Sequence, residues 1–329
     1  MPELYDVAAI GNAIVDVIAP ADDAFLSAHG LDKGSMMLVD QARSAELYAH
    51  MQPGLETSGG SAGNTIAGVA SFGGRAAYLG KVADDQLGEV FAHDMRAIGA
   101  HFDTTPLVGG PATARSLINV TPEGERTMCT FLGASTEFTP EDVDAAVIEG
   151  AKIVYLEGYL FDAEAARRAF AKTAGLARAS GRMVAITLSD GFVVDRHREG
   201  LLAFLETQVD LVFANDQEAR ALFQTDSFDE ALAALRSKVK ICAVTRSAKG
   251  SVVTAGAETF AVSAYPVEKV VDTTGAGDQY AAGFMFGLAK GRPLNVCGQL
   301  GSLAAAEVIS HYGPRPQVNL ARLAAEKGL

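Results

Sequence analysis

The sequence is short of cysteine and of positive charge, and each shortage closes off a class of function. Three cysteines, Cys129, Cys242 and Cys297, are spread over 329 residues. Their number is odd and none has the spacing of a zinc site, so neither a disulfide framework nor a structural metal is expected, and a reducing compartment fits best. Lysine and arginine total 27 against 40 acidic residues, a formal charge of −13. A nucleic acid polymer would be repelled unless a local basic stripe overrode that charge. The basic residues are scattered, and the pair Arg167 and Arg168 falls in an alanine-rich helical pattern that reads as a solvated face. No apolar run is long enough to cross a bilayer. The opening MPELYDVAAIGN sets Glu3 and Asp6, not a basic region, ahead of the first apolar run, so no signal peptide is expected. These features point to a cytoplasmic protein with neither a membrane nor a nucleic acid partner. Internal repeats, low-complexity tracts and Pro/Ser-rich linkers are also missing.

With 49% hydrophobic and 20% charged residues, the chain has enough apolar material for a large core. Short β-branched runs alternate with helical periodicity, the pattern of a doubly wound, mostly parallel α/β sheet flanked by helices. Strands are expected at 7–11, 76–80, 153–156, 183–188 and 211–214, and helices at 61–72, 85–98, 163–179 and 198–206. Thr139, Pro140 and Asp142 have the form of a capping box with proline at the first helical position, which predicts a helix to about Glu149. Two stretches, 13–40 and 103–132, break the rhythm with β-hairpin signals such as TPEG at 121–124. They are expected to form a small β lid on a single domain spanning 1–329. Residues 241–263 read as adjacent antiparallel strands, so one sheet edge is expected to be mixed.

The most informative segment is VVDTTGAGDQYAAGFMFGLAKG, residues 270–291. It reads as a short strand ending at Asp272, a glycine turn, and a helix with Ala281, Phe284, Met285 and Leu288 on one face. A helix N-terminus presents unpaired N–H groups and a positive dipole end, which suit a phosphate. Gly275 and Gly277 lack the Cβ atoms that would keep an anion away. Asp278 beside such a site would repel a phosphate unless it served the chemistry, for instance as the base for an attacking hydroxyl. The plainer reading, an acid that merely stabilises the helix dipole, stays open at this point. No G-x-x-x-x-G-K-[ST] occurs, and the first strand runs into GNAIVD where a dinucleotide fold would carry G-x-G-x-x-G.

DTTGAGD at 272–278 resembles the C-terminal signature of the ribokinase family, the phosphofructokinase B-type carbohydrate kinases. GGSAGN at 59–64 is similar to the family's second signature, NDQE at 215–218 looks like its N-x-x-E element, and LGKVADDQLGEVF at 79–91 resembles a further stretch. The likeness runs from about residue 6 to 316. It implies a ribokinase-like fold and transfer of the terminal phosphoryl group of ATP, with magnesium, to a hydroxyl of a small nucleoside or sugar; a monovalent cation stays open. In the family the glycine turn, here Gly275, Ala276 and Gly277, forms an anion hole and the last aspartate, here Asp278, is the base. Gly59, Gly60 and Asn64 match its substrate-side residues, Asn215 lies near the phosphates, and Glu218 is implied in organising magnesium through water. Asp272, Thr274, Thr245, Gly250 and Ser302 match positions near the nucleotide. Tyr280 departs from the phenylalanine of many members.

Asn12 and Asp16 in GNAIVDV lie just past the first strand, where a carboxylate can read two neighbouring hydroxyls. The G-N-x-x-x-D form, Ser61 where ribokinase-like enzymes often carry lysine, and PATARSLI at 111–118 with Arg126 in GERT resemble the adenosine kinase branch. Arg126 is there implied to close on the phosphates, although a solvated hairpin arginine is an open alternative. Leu132 with Tyr159 or Leu160 could line a base slot. The expectation is a monomeric or homodimeric nucleoside kinase acting on the 5′-hydroxyl of adenosine. A sugar kinase and a non-catalytic sensor on the same fold are the alternatives, and the joint presence of Asp278, Gly275, Gly277 and Glu218 argues against the sensor.

Overall fold

A strand apolar on both faces belongs inside a sheet covered on both sides. Val7, Ala8, Ala9 and Ile10 are wholly buried, with Val7 and Ala9 in one core cluster and Ala8 and Ile10 in another. The computed structural model describes residues 4–329; Glu3 lies outside the described residues. In chain order the elements are β1 (Tyr5–Ile10), β2 (Ile14–Pro20), α1 (Asp23–Ala28), β3 (Met36–Leu38), α2 (Gln41–His50), β4 (Leu55–Ser58), α3 (Ser61–Ser71), β5 (Ala76–Leu79), α4 (Gln86–Ala97), β6 (Ala114–Val120) and β7 (Arg126–Phe131). There follow α5 (Ala145–Gly150), β8 (Ala151–Glu157), α6 (Glu164–Ala179), β9 (Met183–Thr187), α7 (Gly191–Gln208), β10 (Leu211–Asn215), α8 (Asp216–Phe223), α9 (Phe228–Arg236), β11 (Ile241–Thr245), β12 (Ser251–Ala255), β13 (Glu258–Val262), α10 (Ala276–Ala289), α11 (Leu294–Val308) and α12 (Leu320–Glu326).

The main sheet has the order β13-β12-β11-β10-β9-β8-β1-β5, parallel from β5 to β11 and antiparallel over β12 and β13. Its mixed edge is where the sequence places it, with Gly250 (φ 81°) and Gly256 (φ 53°) at the turns. Helices α3, α4 and α10 cover one face through Ile66, Val69, Phe91, Met95, Phe284 and Met285. The other face is covered by α5 to α9, through Val147, Phe170, Leu201, Leu222 and Leu235. Phe284 stands edge-on to Phe213 of β10, with ring centroids 5.4 Å apart. That contact anchors α10 against the sheet and fixes the loop before it; truncating such a ring costs about 3–5 kcal/mol.

A second sheet, β3-β7-β6-β2-β4, is drawn from the first 131 residues. The hairpin expected at 103–132 is β6 and β7, turning at 121–125. The one expected at 13–40 is not a hairpin: β2 pairs with β4 and, in parallel, with β6, while β3 pairs with β7. Between them lies α1, N-capped by Asp22. The helix expected from Thr139 is a 3-10 turn, Pro140–Asp142, with the expected capping box; the chain then turns extended at Val143, and Asp144 caps α5 separately. The helix expected at 198–206 begins earlier, at Gly191, capped by Asp190 and kinked at His197. No strand precedes Asp272, because that segment is extended loop tied by Val271 N–H to Ile309 O at 2.8 Å.

Candidate active site

Parallel strands deliver their C-terminal ends, and the loops that follow them, to one edge of the sheet. There the structure opens a cleft of about 430 Å³ between that edge and the second sheet. Asp16, Gly60, Ser61, Asn64, Tyr159, Asn215, Glu218, Thr245, Thr274, Gly275, Ala276, Gly277 and Asp278 all line it. Residues more than 250 positions apart therefore meet in one place.

The turn before α10 can be made only with glycine at 275. Its φ is 78°, and a Cβ there would lie 2.6 Å from the Cα and carbonyl oxygen of Pro314. A Cβ on Gly277 would meet nothing within 4 Å, so what keeps that position small is the open cleft and not the protein. The Ala276 N–H is already taken by Thr273 O at 3.2 Å, which leaves Gly277 and Asp278 as the unpaired donors at the helix start. Asp272 braces the turn: Oδ1 accepts from Thr274 N at 3.0 Å and Oγ1 at 2.7 Å, and Oδ2 accepts from Gly313 N at 3.0 Å. Arg126, expected over the phosphates, is instead paired with Asp272 at 3.0 Å and lies beside the Tyr312 ring. Burial works against the charge of Asp272, but these hydrogen bonds and Arg126 hold its pKa below the usual carboxylate range.

Asp278 is half-buried and opens onto the cleft. Desolvation raises its pKa to about 6, while Ser61 Oγ, donating at 2.6 Å, and Asn64 Nδ2, at 3.4 Å, pull the other way. Such a carboxylate is ionised at neutral pH yet able to take a proton. Asp16 is 9% exposed. Burial raises it to about 6, opposed by Arg315 and Arg126 and reinforced by Asp278. A Cβ on Gly59 would fall 2.4 Å from Asp16 Oδ2, so this glycine serves the aspartate from behind.

Glu218 and Asn215 form a capping box that opens α8: Asn215 N and Nδ2 donate to the carboxylate at 2.9 and 2.6 Å, and Asn215 Oδ1 accepts from Glu218 N at 2.8 Å. Burial lifts the Glu218 pKa to about 7, and nearby Asp190 adds to the rise. Among the described residues no cation pairs with Glu218, and no cluster of three or more acids, histidines or cysteines could hold a metal alone. Magnesium needs no such cluster, since it keeps several waters and takes phosphate oxygens with one or two carboxylates. A buried acid without a counter-ion on the cleft wall fits that requirement.

Other expected residues lie elsewhere. Asn12 is buried behind the wall, its amide engaged at both ends by Glu157 and Ser135, each at 2.8 Å. Leu132 precedes a 3-10 turn and is off the cleft; the apolar wall is built instead by Ile14, Ile118, Met128 and Phe213. Ser302 accepts from Tyr265 N at 2.7 Å in a separate hollow beside β13. Gly250 is required by the strand turn, where a Cβ would meet Val262 O. Two residues were missed by the sequence reading. Glu157 accepts from Asn12 and from Ala62 N at 2.8 Å, and burial raises its pKa to about 7. Its signal was an acid closing the apolar run IVYL. Arg315, in GPRP, donates to Asn64 Oδ1 at 3.2 Å, and nothing local marked it.

Residues 6–320 match the pfkB family carbohydrate kinases. The chain is 28% identical over 328 residues to the adenosine kinase of Saccharomyces cerevisiae, covering 93% of this chain and 95% of that protein. Among solved structures it resembles the adenosine kinase of Sinorhizobium meliloti, at 56% identity and a TM-score of 0.90, over 98% of this chain and 99% of that one. It also resembles a probable sugar kinase protein of Rhizobium etli CFN 42, at 50% identity and a TM-score of 0.91, over 100% and 99% of the two chains. The chain belongs to the pfkB family of carbohydrate kinases, phosphotransferases that act on an alcohol group, here of a nucleoside or a sugar.

Proposed function

We propose that this chain is an ATP- and magnesium-dependent nucleoside kinase of the cytoplasm, with adenosine its best acceptor and the 5′-hydroxyl the site of transfer. The observation that carries the reading is that Asp16 and Asp278 share one cleft, with the open N-terminus of α10 beside Asp278. A carboxylate at Asp16 accepts hydrogen bonds from a 2′,3′-diol. That pose turns the far end of the ribose toward Asp278 and sets the 5′-oxygen in line with the terminal phosphate. The apolar wall of Ile14, Ile118 and Met128 gives a base a surface that a free sugar could not use. Leu132 is not part of that cleft, and Tyr159 lines it.

Asp278 accepts the hydroxyl proton as the 5′-oxygen bonds to the terminal phosphorus and the bond from that phosphorus to the bridging oxygen breaks, releasing ADP. The free N–H groups of Gly277 and Asp278, fixed at the helix start, face the charge that spreads over the transferring group. Asn215 and Glu218 stand where the phosphates would lie, and magnesium held through water by Glu218 would supply the remaining neutralisation. Ser61 and Asn64 hold the base in place. No covalent phosphoenzyme is required.

The 50% identity to a probable sugar kinase keeps a sugar acceptor as the second reading. A coupled assay with ATP and magnesium across adenosine, inosine, guanosine, 2′-deoxyadenosine, ribose and fructose separates the two. Adenosine is expected to give the highest kcat/KM, and 2′-deoxyadenosine to lose roughly 10²-fold or more, because the missing hydroxyl leaves a buried carboxylate unpaired. Ribose or fructose ahead of every nucleoside would overturn the adenosine assignment. Equal rates with 2′-deoxyadenosine would remove the diol role of Asp16.

A further inference from the structure

Arginine only donates hydrogen bonds, so the amide atom it meets is the carbonyl oxygen. Arg315 Nε donates to Asn64 Oδ1 at 3.2 Å. That contact decides which way Asn64 faces, leaving Nδ2 toward Asp278 Oδ2, 3.4 Å away. With the amide reversed, an oxygen would meet the carboxylate, and a donor to the base would become a repelling acceptor. The segment carrying Arg315 is itself fixed on two sides. Gly313 N–H donates to Asp272, and Pro314 lies so close to Gly275 that no Cβ fits between them. Gln279 Nε2 donates to Pro314 O and to Asn64 O, both at 2.9 Å. The guanidinium sits behind the cleft wall with Nη2 buried and without a hydrogen-bond partner, and its charge faces Asp16, Asp94 and Tyr78. An unpaired buried donor is costly. What the arrangement gains is a fixed cation behind two residues of the cleft.

We propose that Arg315 is a positioning residue for phosphoryl transfer: it locks the Asn64 amide with its N–H toward Asp278 and supplies a fixed positive charge behind Asp16. The proposal deepens the function given above and rests on Asp278 as base and Asp16 as acceptor contact. The charged groups facing Asp16 are Arg315, Arg126 and Asp278. Burial is the main reason its pKa stands at about 6, Asp278 adds to the rise, and the two arginines oppose it. Loss of Arg315 therefore moves Asp16 further up, and with it the acid limb of kcat/KM for the acceptor.

The test compares Arg315→Gln with Arg315→Lys, using whichever acceptor the wild type turns over best, with thermal melts and ATP affinity measured alongside. Gln is neutral and offers an oxygen as well as an N–H, so it neither holds the amide nor keeps the charge; Lys does both in part. Arg315→Gln is expected to lower kcat roughly 10- to 100-fold. Its acid limb should move up by about one unit. Arg315→Lys should keep the wild-type acid limb and recover most of kcat. An unmoved acid limb in a folded Gln variant, or equal losses in both variants, overturns the proposal. Should the Gln variant fail to fold, Lys decides alone: an acid limb in the wild-type position supports the role, and one shifted upward overturns it. Preference of the wild type for a sugar would refute the adenosine reading without touching this comparison, and unchanged Arg315→Gln kinetics would refute the positioning role with the adenosine reading intact.

Discussion

Ser61→Ala isolates the hydrogen bond that keeps Asp278 ionised. Ser61 opens α3, and its hydroxyl donates to Asp278 Oδ1 at 2.6 Å, the shorter of the two side-chain contacts to that carboxyl. Removing the hydroxyl deletes no buried apolar group, so the fold should hold. A hydrogen bond to a charged acceptor contributes about 1.5–3 kcal/mol. Asp278 opens onto the cleft and Asn64 can close its 3.4 Å gap, so the low end applies, about one pKa unit. The carboxyl then moves from about 6 to roughly one unit higher. The ionised fraction, and kcat/KM with it, should fall about twofold near pH 7 and about fivefold near pH 6, with almost no change near pH 9. The assay is the pH profile of kcat/KM for both enzymes with the same acceptor. An acid limb that stays in place while activity drops equally at every pH would mean that Ser61 does not set the charge of Asp278 and is an acceptor contact only.

Glu218→Gln keeps a side-chain oxygen for the Asn215 cap but loses the charge, and the magnesium concentration for half-maximal activity should rise roughly tenfold, with the acceptor KM little changed. An unchanged magnesium titration would take Glu218 out of the metal site. Far from the cleft, Asp6 has no exposure and is held by Lys290 at 2.8 Å, Lys152 at 3.2 Å and the Arg75 N–H at 2.9 Å. Burial opposes its charge, but these partners win and depress its pKa. Its contribution is therefore present above the unfolded value and lost as pH falls through the folded one. Asp6→Asn should cost about 2–4 kcal/mol at neutral pH in urea unfolding, with the gap to wild type narrowing below about pH 4. A gap of equal size at every pH would mean the ion pairs are not its cause.

Legibility in the sequence followed the range of the interactions involved. Strands such as β1 and β8 stand out as short, nearly unbroken apolar runs, and a helix such as α6 by the period of its buried face, because burial marks their own residues. The second sheet does not: β2 pairs with β6, about a hundred residues on, and no local pattern reports that register. At the site, the glycine turn and Asp278 were legible because a helix start needs particular residues in a row. Arg315 was not, since its partners Asn64 and Asp16 come from the other end of the chain. Leu132 and Ser302 stand off the cleft that holds Asp278, and neither a neighbouring segment nor a matched position along the chain says where a side chain points.

If Asp278 takes the proton from the attacking hydroxyl, Asp278→Asn removes the acceptor and little else. The side chain keeps its size and can still meet Ser61 and Asn64, so folding and ATP binding should survive. Turnover under saturating ATP, magnesium and acceptor should fall roughly 10²-fold or more. A variant that binds ATP as tightly as wild type and is nearly inert is the predicted result; one that retains more than about a tenth of wild-type turnover contradicts the account, because the reaction then has another base.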